Sequence, residues 1–212
     1  MSDAAAVSAL FYAWAFARRF PHVSGPAIGS ALLVALLVYK VVLEIKAALR
    51  KTAARSFLQD CVMVIIPCFL LVCRLLRQPL DLTLAFLGTL VPLYGCLARI
   101  GCFLGGCCYG KPSSSGVLYP ASLFESHSRG CRKYAPSPNP GVRVFPIQLV
   151  EAAAQAILFA LLVTLVWKHP SAAASVFWWY LSLYTGIRFV LDFCRTTSAR
   201  PRLLTTKQAL PQ

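Results

Sequence analysis

The chain has 212 residues, 58% of them hydrophobic and only 13% charged, with a formal net charge of +14. That balance excludes a separate soluble domain and points to a chain folded inside a bilayer. The positive charge does not point to nucleic acid, because the basic residues sit in short stretches between apolar runs: Lys46, Arg50, Lys51 and Arg55 in one, Arg74 and Arg77 in another, and Arg195, Arg200, Arg202 and Lys207 in the tail. Positive-inside topology and contact with anionic lipid account for most of them.

A membrane helix needs roughly 20 apolar residues. The weakest candidate covers residues 4–20, with Arg18 and Arg19 at its interfacial end. Those arginines follow the apolar run instead of preceding it, so no cleaved signal peptide is expected. Stronger spans are expected over residues 28–44, 57–76 and 80–103, then 147–167 and 172–193. In lipid every backbone polar group must be paired within its own segment, so these are helices. The expected fold is an all-α polytopic bundle of five to six spans, one integral-membrane domain over residues 1–212, with one extramembrane loop over about 111–144. Pro67 and Pro92 stand near the centres of adjacent spans and are read as kinks, not as the mark of an internal repeat.

The third strong span closes on Arg99 to Gly110, R-I-G-C-F-L-G-G-C-C-Y-G. An arginine at a helix centre in hydrocarbon costs about 2.5–3.5 kcal/mol on translocon scales. Gly101, Gly105, Gly106 and Gly110 lack the side chains that would keep another molecule off the backbone. A cation beside bare backbone at a membrane helix end suits the phosphate of a lipid headgroup. In the loop that follows, Ser113, Ser114, Ser115 and Gly116 read as a flexible entry, and Pro136, Pro138, Asn139, Pro140 and Gly141 as a stiff, turn-rich exit. Between them Glu125, His127, Arg129, Arg132 and Lys133 form either a solvated basic loop or a lid or arm that gathers an anionic headgroup or a partner chain.

Beyond the loop, Gln148, Glu151 and Gln155 share one face of an apolar helix. In the last span Tyr180, Tyr184, Arg188 and Asp192 step by four, and Arg195 follows. Two readings stay open. One is an internal ion-pair network that only holds helices together. The other sets Arg99 and Arg188 on facing helices as a two-armed phosphate clamp, oriented by Glu151 and Asp192, and this is the reading preferred.

These residues resemble the prolipoprotein diacylglyceryl transferase family. Its signature has the form G-R-[IL]-G-N-F-x-N-G-E-x-x-G, and residues 98–110 read A-R-I-G-C-F-L-G-G-C-C-Y-G. Its H-P-x-Q-L-Y-E element is matched by F-P-I-Q-L-V-E at 145–151, and its Y-x-x-x-R with following acid and arginine by Tyr184, Arg188, Asp192 and Arg195. A T-x-Q at 206–208 extends the likeness, which runs from about Pro79 to Gln208.

The resemblance implies transfer of a diacylglyceryl group from phosphatidylglycerol, or another anionic phospholipid, to the thiol of a lipobox peptide or another acceptor, at the inner (plasma) membrane. Arg99 and Arg188 match the family's functional arginines, with Glu151 a catalytic candidate. Gly101, Cys102, Gly106, Cys107, Gly110, Gln148, Tyr184, Asp192 and Arg195 are candidates for substrate binding. Glu151 and His127 are the candidate bases for the thiol. No cofactor and no metal is implied.

The chain departs from the pattern where Cys102, Gly105 and Cys107 replace two asparagines and a glutamate, and where Phe145 and Val150 replace a histidine and a tyrosine. The family's H-G-G-L element has only H-V-S-G-P-A-I-G at 22–29 as a poor counterpart. Cys102, Cys107 and Cys108 read as small replacements, as a thiolate or redox pair beside Arg99, or with Cys131 as a metal site. Cys61, Cys68, Cys73 and Cys96, inside apolar runs, read as packing residues. Alternatives to transfer are a non-catalytic lipid-binding or complex-forming member of the same fold, and a thiol-redox membrane protein using Cys107 and Cys108. Alternation of the spans with the charge rule would place the 111–143 loop on the cytoplasmic side. The resemblance places it outside, and is followed because long loops obey that rule weakly.

Overall fold

A computed structural model describes residues 2–50, 58–106, 108–119 and 142–194. Its helices are α1 (Ser2–Arg19), α2 (Gly25–Arg50), α3 (Leu58–Leu75), α4 (Leu80–Leu104), α5 (Ile147–Lys168) and α6 (Ala173–Asp192), with a short 3₁₀ turn, Pro170–Ala172, before α6. Each expected span is a helix, with ends displaced by a few residues. Gly25–Lys46 of α2, α4 and α5 are long and apolar enough to cross a membrane. The apolar part of α3, Met63–Leu75, is shorter, and α6 carries Arg188 and Asp192 in its last turns. This is an all-α helical membrane bundle.

Successive helices run antiparallel, which gives the bundle two distinct ends. At one, Arg19 donates to the Trp167 carbonyl at 3.0 Å and the Ser24 amide donates to Gln78 Oε1 at 2.9 Å. At the other, α4 ends, α5 begins and α6 ends. There Gly110 N–H donates to the Phe145 carbonyl at 2.9 Å and Lys111 N–H to the Cys194 carbonyl at 3.2 Å.

Between membrane helices the hydrophobic effect gives little drive, so close packing of small residues and interhelical hydrogen bonds must hold them. Helix α4 sits at the centre on those terms. Phe86 is fully buried, with Tyr12 and Phe16 of α1 at ring distances of 5.7 and 5.4 Å and Phe69 of α3 at 5.9 Å. Tyr12 also donates to Thr89 Oγ1 at 2.7 Å. Close by, Gly88 lets α6 approach until a Cβ there would lie 2.8 Å from the Phe177 Cα. Leu33 and Leu37 of α2, Ile157 and Leu161 of α5, and Trp178 and Phe189 of α6 point outward and stay exposed, as side chains that meet lipid do.

One expectation is corrected here. The serine-rich entry to the loop is an ordered strand, β1 (Pro112–Val117), bridged at both ends to Val144. Ser113 N–H donates to the Arg143 carbonyl at 3.0 Å, and Gly116 sits so close that a Cβ would lie 2.5 Å from the Val144 carbonyl oxygen. Main-chain pairing, which polar composition does not announce, orders the segment. The Pro-rich exit and the basic middle of the loop lie outside the described residues.

Candidate functional site

Three helices each bring an ionisable side chain to the same level. Arg99 lies five residues before the end of α4, Glu151 four after the start of α5 and Arg188 four before the end of α6. At 1.5 Å per residue each is about 6–8 Å inside the same end of the bundle. Arg99 Nη2 is 2.8 Å from Glu151 Oε1, and Arg188 Nη1 is 2.7 Å from the same oxygen. The Tyr184 hydroxyl donates to it as well, at 2.8 Å. Asp192 completes the set with Oδ1 3.5 Å from Arg188 Nε.

Burial grades across this cluster. The Glu151 side chain is 0% exposed, Arg99 17%, Arg188 31% and Asp192 50%. The enclosed part therefore holds two guanidinium groups on one carboxylate, a surplus of positive charge that opens outward. Asp192 is solvated enough to screen only weakly. Each guanidinium keeps donors that Glu151 does not occupy, and donors in that fork geometry are of the kind that pair with a multi-oxygen anion.

A supporting layer fixes these groups. Tyr184 stacks on Tyr180 with ring centres 5.6 Å apart and planes within 6°. The Tyr180 hydroxyl donates to Gln155 Oε1 at 3.4 Å. Gly95 of α4 leaves room for that amide, since a Cβ there would stand 3.0 Å from it. The polar face of α5 read from the sequence thus has separate uses: Glu151 takes the arginines, Gln155 takes Tyr180, and Gln148, fully buried, donates to the Tyr119 hydroxyl at 3.4 Å.

The glycines hold the turn that carries the chain out of α4. Gly101 stays within α4 and accepts from Gly105 N–H at 2.9 Å. Gly106 has φ +64°, a left-handed conformation that few side chains adopt, and the space beside it is filled by the Tyr119 ring. At Gly110 a Cβ would meet the Phe145 and Cys194 carbonyl oxygens, each at 3.0 Å. The bare backbone at Gly106 and Gly110 is thus covered by protein. Cys102 and Cys108 lie within electrostatic reach of the Arg99 guanidinium, and Cys108 also has a left-handed backbone, φ 61°.

Cys107, Arg195, His127, Cys131 and residues 206–208 lie outside the described residues, and with them the redox-pair and metal readings. Three contributors do not stand out in the sequence. Tyr109 and Tyr119 follow no helical period, and Gly95 reads as an ordinary small residue in an apolar run. The only available signal is an aromatic residue between the glycines of the turn.

Residues 58–211 match the family model described as prolipoprotein diacylglyceryl transferase. Over 101 residues the chain is 35% identical to a phosphatidylglycerol–prolipoprotein diacylglyceryl transferase of Clostridium tetani, covering 46% of this chain and 34% of the relative. It is 31% identical over 99 residues to the protein of that name from Dehalococcoides mccartyi, covering 47% and 34%. With transferase 2 of Clostridium perfringens the identity is 32% over 104 residues, covering 46% and 33%. The matched stretch spans about a third of the length of each of these relatives.

Proposed function

The chain belongs to the prolipoprotein diacylglyceryl transferase family, and we propose that it transfers a diacylglyceryl group from phosphatidylglycerol to the thiol of a prolipoprotein cysteine. The observation that carries this reading is the meeting of Arg99 and Arg188 on one buried carboxylate, with donors left over. In the proposed step the acceptor sulfur attacks the glycerol carbon that bears the phosphate. A C–S bond forms, the C–O bond to phosphate breaks, and the electron pair leaves with glycerol phosphate. The thiol proton passes to a base outside the described residues or to water.

Negative charge grows on the departing phosphate, and guanidinium groups already aimed at it lower the barrier without reorganising. We assign Arg99 and Arg188 to that phosphate. We assign Glu151 and Tyr184 as positioning residues, because Glu151 Oε1 meets both arginines and accepts from the Tyr184 hydroxyl. The site lies one to two turns inside one end of the bundle, the depth of a headgroup rather than of mid-bilayer hydrocarbon. We place that end on the outer side of the inner membrane, with the chain crossing it several times.

A second reading has a specific observation in its favour: Cys102 and Gly105 stand where the resembled signature has asparagines. A member that binds anionic lipid without turnover would keep the arginines and lose those side chains. The test is transfer by the purified chain in phosphatidylglycerol liposomes given a lipobox peptide, following peptide lipidation and glycerol phosphate together. Equal amounts of both products support the transferase. Glycerol phosphate alone points to another acceptor, and neither product, with Arg99-dependent lipid binding retained, gives the second reading its place.

A further inference from the structure

One helical turn outward from Glu151 lies a second, smaller group of buried side chains. Tyr109, Tyr119 and Val144 pack together with Phe103 and Val142 alongside, and Gln148 reaches this group through the Tyr119 hydroxyl. Within it Tyr109 is 8% exposed, and its hydroxyl is buried with no hydrogen-bond partner among the described residues. A phenylalanine would fill the same space without burying a polar atom, so the hydroxyl is unexplained by packing. Burial also raises the Tyr109 pKa above its ordinary value, so the group stays a neutral donor.

Gln148 and Glu151 stand three residues apart on one face of α5. That places the tyrosine pair just beyond the arginines, where the part of a lipid headgroup distal to its phosphate would lie. We propose that the Tyr109 hydroxyl binds a hydroxyl of that distal part, making Tyr109 the residue that selects a polyol headgroup among phospholipids of equal charge. The inference rests on the phosphate assignment made above. Guanidinium groups read charge and tetrahedral shape. They do not tell a glycerol ester from an ethyl ester, and a neutral donor–acceptor such as a phenol does.

The test compares two lipids with the same acyl chains and the same single charge, phosphatidylglycerol and phosphatidylethanol, offered together to the full purified chain and read by native mass spectrometry. The wild type is expected to hold phosphatidylglycerol about tenfold better, the size of one hydrogen bond to a neutral group. Tyr109→Phe should narrow the ratio to about twofold or less, with phosphatidylethanol binding unchanged and the melting temperature equal or higher. An unchanged ratio in Tyr109→Phe, equal loss of both lipids, or no preference in the wild type would each overturn the inference. Because the readout is binding, a chain that shows this preference and yet transfers nothing would remove the transferase reading and leave the selectivity assignment standing.

Discussion

Arg188 on α6 and Glu151 on α5 meet at 2.7 Å through a carboxylate that has no solvent exposure, while the arginine keeps 31% of its side chain open. The pair is therefore asymmetric: the acid is a fixed internal element and the base faces outward. The same holds for Arg99. Loss of the acid should accordingly be felt through the whole cluster, whereas loss of the outer acid should not.

Glu151→Gln leaves two arginines without their shared counter-charge in an enclosed site. Removing one partner of a buried pair typically costs about 3–5 kcal/mol. Transfer should be abolished and the melting temperature lowered. Asp192→Asn, at a half-exposed position 3.5 Å from Arg188, should change stability by about 1 kcal/mol or less. Thermal unfolding in detergent, run beside the transfer assay, separates the two.

Lysine in place of either arginine keeps the charge and loses the fork that reaches Glu151 and a phosphate together. Arg99→Lys and Arg188→Lys should each stay folded and lower kcat/KM by about tenfold or more, the equivalent of at least one charge-assisted hydrogen bond. Initial rates over a phosphatidylglycerol series would measure it.

At Gly88 an added methyl group would lie 2.8 and 2.9 Å from the Phe177 backbone, and backbone does not move aside as a side-chain tip does. Gly88→Ala should force α4 and α6 apart and destabilise by about 1–3 kcal/mol, as overpacking does. Gly29 of α2 has nothing within 4 Å of the corresponding position. Gly29→Ala should be neutral or stabilise by up to about 1 kcal/mol. Comparative melting curves would decide.

Gly110→Ala acts on the site more than on the bundle, because the added atom would press on the Phe145 and Cys194 carbonyl oxygens at 3.0 Å. Those carbonyls accept from Gly110 and Lys111 and join the entry of α5 to the exit of α6. Activity should fall severalfold with a shift in stability of about 1–3 kcal/mol, seen by assaying both on one preparation.

Much of this arrangement is legible in the sequence, for definite reasons. A helix repeats every 3.6 residues, so Glu151 with Gln148 and Gln155, and Arg188 with Tyr184 and Asp192, announce shared faces by their spacing alone. Charge in an apolar run also marks itself, as Arg99 does. Contacts that depend on an absent atom are not legible. Gly88 against Phe177 and Gly95 against Gln155 involve residues 60 or more positions apart, and nothing in local composition links them. The order in β1 is hidden because Ser and Gly have no side-chain pattern to report main-chain pairing. Tyr109 and Tyr119 are buried with Val144, the residue to which that strand is bridged and which lies far from both in the chain.

The central claim is that Arg99 and Arg188 act on one phosphate as a single clamp, and a double-mutant cycle on single-turnover transfer tests it most directly. Rates would be measured for the wild type, Arg99→Gln, Arg188→Gln and the double variant in phosphatidylglycerol liposomes. Groups that act as a unit are strongly non-additive. The account predicts that the double variant is scarcely slower than either single one. Losses that multiply, each arginine contributing its full factor in the absence of the other, would contradict it.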